Sequence, residues 1–227
     1  MRLSRRAIED IIEWDVGNWS RALKLWEMEG GTDLKGCLAL EIGGRNGGLS
    51  LWLALRGART ICSDLNGPSP RAVLLHRRYG VADLVEYRAI DVLDIPYGEG
   101  TFDVVAFKSV VGDLGEKEKQ RKAFGEIYRV LKPGGRLFFA ENLRGSPIHM
   151  FLRSRFVSWG RSWRYLSLDD LEEFLSIFSR RRCETHGFLA ALGRDERQRR
   201  FLSLLDSLIS PIVPPSWRYI AFGVAVK

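Results

Sequence analysis

The 227-residue sequence predicts an α/β protein built on a doubly wound, mostly parallel sheet. Three observations carry that expectation. Short apolar runs that suit buried strands alternate with stretches of helical period between residues 37 and 140. The first such run, 37–42, passes directly into Gly43-Gly44-Arg45-Asn46-Gly47-Gly48, a glycine-rich turn that opens a helix. A charged residue then falls at or just beyond one strand end after another: Glu41, Asp64, Asp91, Lys108 and Glu141. Right-handed crossovers place the carboxyl ends of parallel strands on one rim, so these side chains are expected around one crevice.

The totals set the bounds. With 45% hydrophobic residues the chain can bury a sizeable core. No apolar run approaches the roughly 20 residues of a membrane helix. The first ten residues are charged and lack the apolar centre of a signal peptide, so a cytoplasmic location is expected. Cys37, Cys62 and Cys183 have no metal-ligand spacing, and no metal site is expected. The net charge of +7 permits an anionic partner without naming one.

Each element follows from its pattern. Residues 4–29 read as helix, with Ile8, Ile11, Ile12, Val16, Trp19, Leu23 and Trp26 at three- and four-residue spacing. Residues 1–34 are therefore an edge segment or a lid whose tryptophans close over a ligand. Residues 49–57 form the helix after the glycine turn, and 59–63 the second strand, with Asp64 at its end. An acid there meets the ribose hydroxyls of a nucleotide bound at the first loop. A helix over 68–79, a strand over 85–90 and a strand over 101–107 come next. Residues 116–131 are an amphipathic helix, stopped by Pro133-Gly134-Gly135, and 136–140 the fifth strand. Ser167 caps a further helix, with Asp170 at its third position. Residues 182–191 and 217–226 are strand-like and can close the sheet as an antiparallel pair around a helix at 201–209.

Four segments in order resemble the class I S-adenosylmethionine-dependent methyltransferases. They are Glu41-Ile42-Gly43-Gly44-Arg45-Asn46-Gly47, Asp64, Asp91 to Pro96 with Gly100-Thr101-Phe102-Asp103-Val104-Val105, and Glu126 to Leu137 with its Lys132-Pro133-Gly134-Gly135. The likeness covers roughly residues 35–142. A dinucleotide fingerprint would require glycine at position 45, where this chain has Arg45. The resemblance implies a Rossmann-like, seven-stranded sheet ending in an antiparallel hairpin. It also implies a methyltransferase domain over 35–227, with an Arg/aromatic substrate insertion at about 144–180.

The resemblance further implies roles. Backbone around Glu41, Gly43, Gly44 and Gly47 would hold the methionine part of S-adenosylmethionine. Asp64 would accept the ribose hydroxyls, Leu65 would flank the adenine, and Asp91 with the backbone of Val92 would meet the adenine edge. Lys108 would line the methionine side. Trp14, Asn18 and Trp19 are expected over the sulfonium, since aromatic faces stabilise a cation. Base candidates on the rim are Asp113, Glu141 and His149, with Lys108 after them.

Arg45, Arg144, Arg155, Trp159 and Trp163 are the expected acceptor contacts, because arginine forks bind anions and aromatic faces stack on rings. They favour a small-molecule acceptor methylated on an oxygen, glycan-like or anionic, as in methyltransferases found with polysaccharide-synthesis enzymes. Alternatives are RNA, a membrane-surface role for the basic, amphipathic 148–163 stretch without stable insertion, and a binding module without catalysis.

Overall fold

A computed structural model describes residues 3–157 and 162–227. Trp159 therefore lies outside the described residues. The chain folds into one seven-stranded sheet of order β3-β2-β1-β4-β5-β7-β6. Its strands are β1 (Leu38–Ile42), β2 (Arg59–Asp64), β3 (Val85–Ala89), β4 (Phe102–Lys108), β5 (Leu131–Asn142), β6 (Arg180–His186) and β7 (Ile220–Val226). Neighbours from β3 through β5 pair in parallel, and β7 runs antiparallel to both β5 and β6. This is the expected Rossmann-like sheet with its antiparallel hairpin.

Helices α1 (Arg5–Ile12), α2 (Val16–Trp26) and α3 (Gly48–Leu55) cover one face, and α5 (Lys117–Val130) and α7 (Leu168–Leu175) the other. Also present are α4 (Pro70–Arg78), α6 (Pro147–Phe156) and α8 (Glu196–Ile209). Alternation along each strand divides the core in two. Phe138 joins Trp26 and Trp52 on the α3 side, with ring centroids 5.8 and 5.5 Å away. Phe139 joins Phe107, Phe124 and Phe174 on the α5 side. Among the described residues, no helix is long and apolar enough to cross a membrane.

Three elements differ from the sequence pattern. The strand-like stretch 182–191 is strand only as far as His186, and Ala190–Leu192 is a 3-10 turn. The expected helix over 4–29 breaks into α1 and α2 at Glu13 to Asp15, where Glu13 and Asp15 adopt φ of +70° and +44°. The Pro133-Gly134-Gly135 stop does not delay β5. Pairing starts at Leu131 opposite Phe102, slips, and resumes at Arg136 opposite Val104, so the turn is a bulge inside the strand.

Phe138 is fully buried between two indoles. Phe138→Ala is expected to lose about 3–5 kcal/mol, read as a lower urea midpoint at unchanged m-value.

Candidate active site

The registers align the strand ends. Glu41 pairs with Cys62 and Ile42 with Phe107, so continuing each ladder brings Gly43 level with both Asp64 and Lys108. Asp64 pairs with Ala89, two residues before Asp91. Asp64, Gly43 and Lys108 thus form a row across three strands spaced about 4.8 Å apart.

The turn between β1 and α3 is fixed from beneath. Glu41 is buried, and its carboxylate accepts from Leu49 N at 3.0 Å, Ser50 N at 2.9 Å and the Ser50 hydroxyl. A carboxylate there satisfies orphan donors of the first helical turn and faces the positive end of the helix dipole. Burial pushes the Glu41 carboxyl up to about 7 against these bonds. Glu41 is therefore the anchor of the loop, and its side chain is turned inward.

The glycines serve protein packing more than ligand clearance. A Cβ on Gly43 would strike Val110, and one on Gly44 would sit 2.8 Å from Glu41 Oε2. One on Gly47 would meet His76 at 2.6 Å, and one on Gly48 the Ile11 carbonyl. Gly43 and Gly47 also need φ of +66° and +79°.

Arg45, where glycine was the expected residue type, adopts φ of +40° and points an exposed side chain outward. Its N–H donates to Asp64 Oδ2 at 3.0 Å. Asp64 Oδ1 has no hydrogen bond among the described residues, and Leu65 beside it is largely exposed. Asp91 is exposed and accepts from Leu93 N at 2.8 Å, while the Val92 side chain is buried in the α5-side core.

The N-terminal segment closes the crevice differently from expectation. Lys108 Nζ donates to Ile12 O at 3.1 Å and lies 3.1 Å from the Trp14 ring centroid. The lysine thus holds the cation seat over Trp14 that was assigned to the sulfonium. Burial lowers the Lys108 amine to about 7, opposed by nearby Glu13 and Glu41. Trp19 is a core residue, 2% exposed, whose ring lies 6.0 Å from Trp14 and 5.5 Å from Lys108 Nζ. Asn18 is also inward, with Nδ2 donating to Asp206 and Tyr219.

Two base candidates are engaged elsewhere. Glu141 is fully buried and accepts from Val110 N and Val111 N, both at 2.8 Å, and from Asn142 N at 2.9 Å. Its carboxylate organises the loop after β4. Both ring nitrogens of the buried His149 are occupied, Nδ1 by the Ser146 cap and Nε2 by Phe188 O at 2.8 Å. It is a helix-capping histidine. Asp113 stands exposed in the turn after β4.

Among acceptor candidates, Trp163 covers the Cα of Gly112 and lies 6.2 Å from Tyr165. Its Nε1 is buried without a hydrogen-bond partner among the described residues. Arg144 and Arg155 are exposed.

Comparison with known proteins agrees with this fold. A family model described as a methyltransferase domain matches residues 40–139. The fold is that of the class I S-adenosylmethionine-dependent methyltransferases. A demethylmenaquinone methyltransferase of Thermus thermophilus is 35% identical over 106 residues, 45% of this chain and 46% of that protein. A ubiquinone/menaquinone biosynthesis C-methyltransferase of Escherichia fergusonii is 40% identical over 65 residues, 29% of this chain and 25% of that protein. The matched region spans less than half the length of these relatives.

Phosphoethanolamine N-methyltransferase 2 of Haemonchus contortus, solved with phosphomonomethylethanolamine and S-adenosylhomocysteine, superposes with a TM-score of 0.65. It is 18% identical and covers 92% of this chain and 52% of its own. The YcgJ protein of Bacillus subtilis gives 0.60 at 16% identity, covering 92% and 98%. At these identities the likeness is one of fold.

The sequence reading missed one cluster. Asp15, 3% exposed, accepts from the Tyr219 hydroxyl, and Asp206 accepts from Asn18 as well as from Phe188 N, Leu189 N and Ala190 N. Glu196 caps α2 through Asp15 N and Val16 N at 2.7 and 2.8 Å. The signal was an acid inside the apolar run Leu204-Leu205-Asp206-Ser207-Leu208, of which α8 turns Asp206 inward.

Burial raises Asp15, Glu41 and Glu141 to about 7 from 3.8, 4.5 and 4.5. The folded state then binds more protons, so their contribution to stability is present below about pH 4 and lost as pH rises toward 7. Lys108 is lowered from 10.5, so its contribution is present at high pH and lost as pH falls toward 7. Urea midpoints between pH 5 and 9 are expected to pass through a minimum near 7, and Glu141→Gln to flatten the acid limb. An acid limb of unchanged slope in that variant counts against the buried-acid account.

Proposed function

We propose that this protein transfers the methyl group of S-adenosylmethionine to a small-molecule acceptor. The observation that carries the reading is the row of Asp64, Gly43 and Lys108 at the strand ends, with Asp64 Oδ1 open beside the exposed Leu65. Asp64 suits the ribose diol, backbone of Gly43 to Gly47 the methionine part, and Asp91 with Val92 the adenine edge. When bound, the cofactor supplies a methyl group already activated by a sulfonium. The protein's task is then alignment and exclusion of water. The α1–α2 turn and Lys108 close the crevice, and Asp113 is the base candidate whose carboxylate the fold leaves exposed.

For the acceptor, the exposed Arg45, Arg144 and Arg155 are available to an anionic or glycan-like group, while two other arginines of the same stretch are engaged. Arg153 donates to Leu143 O at 2.6 Å and stacks on Tyr165, and Arg164 binds Asp170 through two bonds of 3.0 Å. Both arginines hold the fold together. Trp163, half-buried against Gly112 in the loop after β4, supports a flat ring acceptor, which bears an oxygen in this reading. Methylation of that oxygen is the first reading. Methylation at a ring carbon is the second, favoured by relatives named for demethylmenaquinone.

Calorimetry with S-adenosylmethionine is expected to show one site per chain. Asp64→Ala should weaken it about 10- to 100-fold, through loss of the charge-assisted bond to the ribose and of the Arg45 N–H contact that positions the loop. Labelled methyl transfer to a reduced naphthoquinone and to a phenol, followed by product mapping, separates carbon from oxygen. Absence of cofactor binding by the folded protein refutes the methyl-transfer reading.

A further inference from the structure

We propose that the outward face of α8, with the segment that follows it, docks on an anionic phospholipid surface. The proposal does not depend on methyl transfer. On α8, Ser203 and Asp206 point inward. Phe201, Leu204 and Leu208 lie at i, i+3 and i+7 on the opposite side, 63%, 64% and 76% exposed. A solvated helix face of a stable domain is normally polar, so this stripe is inverted. It continues past the helix through Ile212, 81% exposed, to Trp217, which is half exposed and stacked on Phe188. Apolar side chains ending in a tryptophan suit the boundary between headgroups and acyl chains.

The charge pattern selects the occupant. Between residues 194 and 218 the sequence has five arginines and three acids. All three acids are held by the fold: Asp195 caps Gln198 N, Glu196 caps α2, and Asp206 is buried. Arg197 leads the apolar stripe on the same face, and the exposed Arg194 precedes it. An apolar face bordered by cations without facing acids matches a lipid surface of negative charge. Helix α6 carries a second exposed apolar strip. His149 of α6 and Asp206 of α8 both bond to Phe188, which bridges the two helices. The outward side of α6 carries Ile148 and Phe151, 59% and 65% exposed, with Arg155.

Flotation of the full chain with phosphatidylcholine vesicles containing about one-third phosphatidylglycerol tests the proposal. Binding is expected there, with at least about tenfold less to pure phosphatidylcholine and in 0.5 M salt. The double variant Leu204→Glu/Leu208→Glu and the variant Arg194→Glu/Arg197→Glu should each lose about tenfold or more. These positions are exposed, so an unchanged far-ultraviolet circular dichroism spectrum and melting temperature are expected. Equal binding to both vesicle types, or no binding, overturns the proposal. So does a concentration-dependent dimer in lipid-free sedimentation that Leu204→Glu/Leu208→Glu abolishes, because the stripe would then face a second copy of this chain.

Discussion

The structure around the crevice depends on the buried Glu41 carboxylate. It stands in β1 and binds the first turn of α3, so strand and helix are joined beneath a loop that otherwise has few side chains. Removing water from a carboxylate is costly, and several charge-assisted hydrogen bonds are needed to offset it. Leu49 N, Ser50 N and the Ser50 hydroxyl supply them. With both ends clamped, the intervening residues have one way across. Gly44 must lack a side chain because Glu41 Oε2 and Cys62 lie under it. Arg45 is then carried to where its N–H reaches Asp64, which orients that carboxylate toward the rim.

The opposite wall uses the same device. Glu141 at the end of β5 accepts from Val110 and Val111 and holds the loop after β4, whose Val110 packs against Gly43. Two buried glutamates at equivalent strand ends thus shape two facing loops. The cover is built from both ends of the chain. Lys108 ties down the end of α1, Glu196 of α8 caps α2, and Tyr219 at the start of β7 donates to Asp15. The C-terminal third therefore completes the sheet and also braces the N-terminal segment over the crevice.

The strands, their order of charged ends and the glycine turn were legible because each is a local pattern: an apolar run, a terminal acid, a glycine pair. The break between α1 and α2 was not. Ile12, Val16 and Trp19 keep helical spacing straight through Glu13 to Asp15. The break is imposed by partners remote in sequence, Lys108 and Glu196. Trp19 proves to be buried beside Trp14 and Lys108, a burial that its spacing leaves open because a lid and a core helix share one apolar period. Glu141 and His149 were misread for a related reason. Residue type and position near the rim were right, but the bonds that commit them come from Val110, Val111 and Phe188, which no spacing reveals. Ser146 at the cap and His149 at the third helical position was the available sign of a capping role.

Backbone conformation links these points. Among the described residues, the non-glycine positions with positive φ are Glu13, Asp15, Arg45 and Ser109. Each costs roughly 1–2 kcal/mol relative to a relaxed residue. Chance would scatter them through turns across the molecule, yet they occupy only the α1–α2 turn, the glycine loop and the loop after β4. Each is held by a specific bond: Glu13 by Asn46, Asp15 by Tyr219, Arg45 by Asp64, and Ser109 by Ala140 O and Asn142. Relaxing any one would re-aim a wall of the crevice. The clustering is what a fold shows when the geometry of one site has been retained at the expense of local backbone preference.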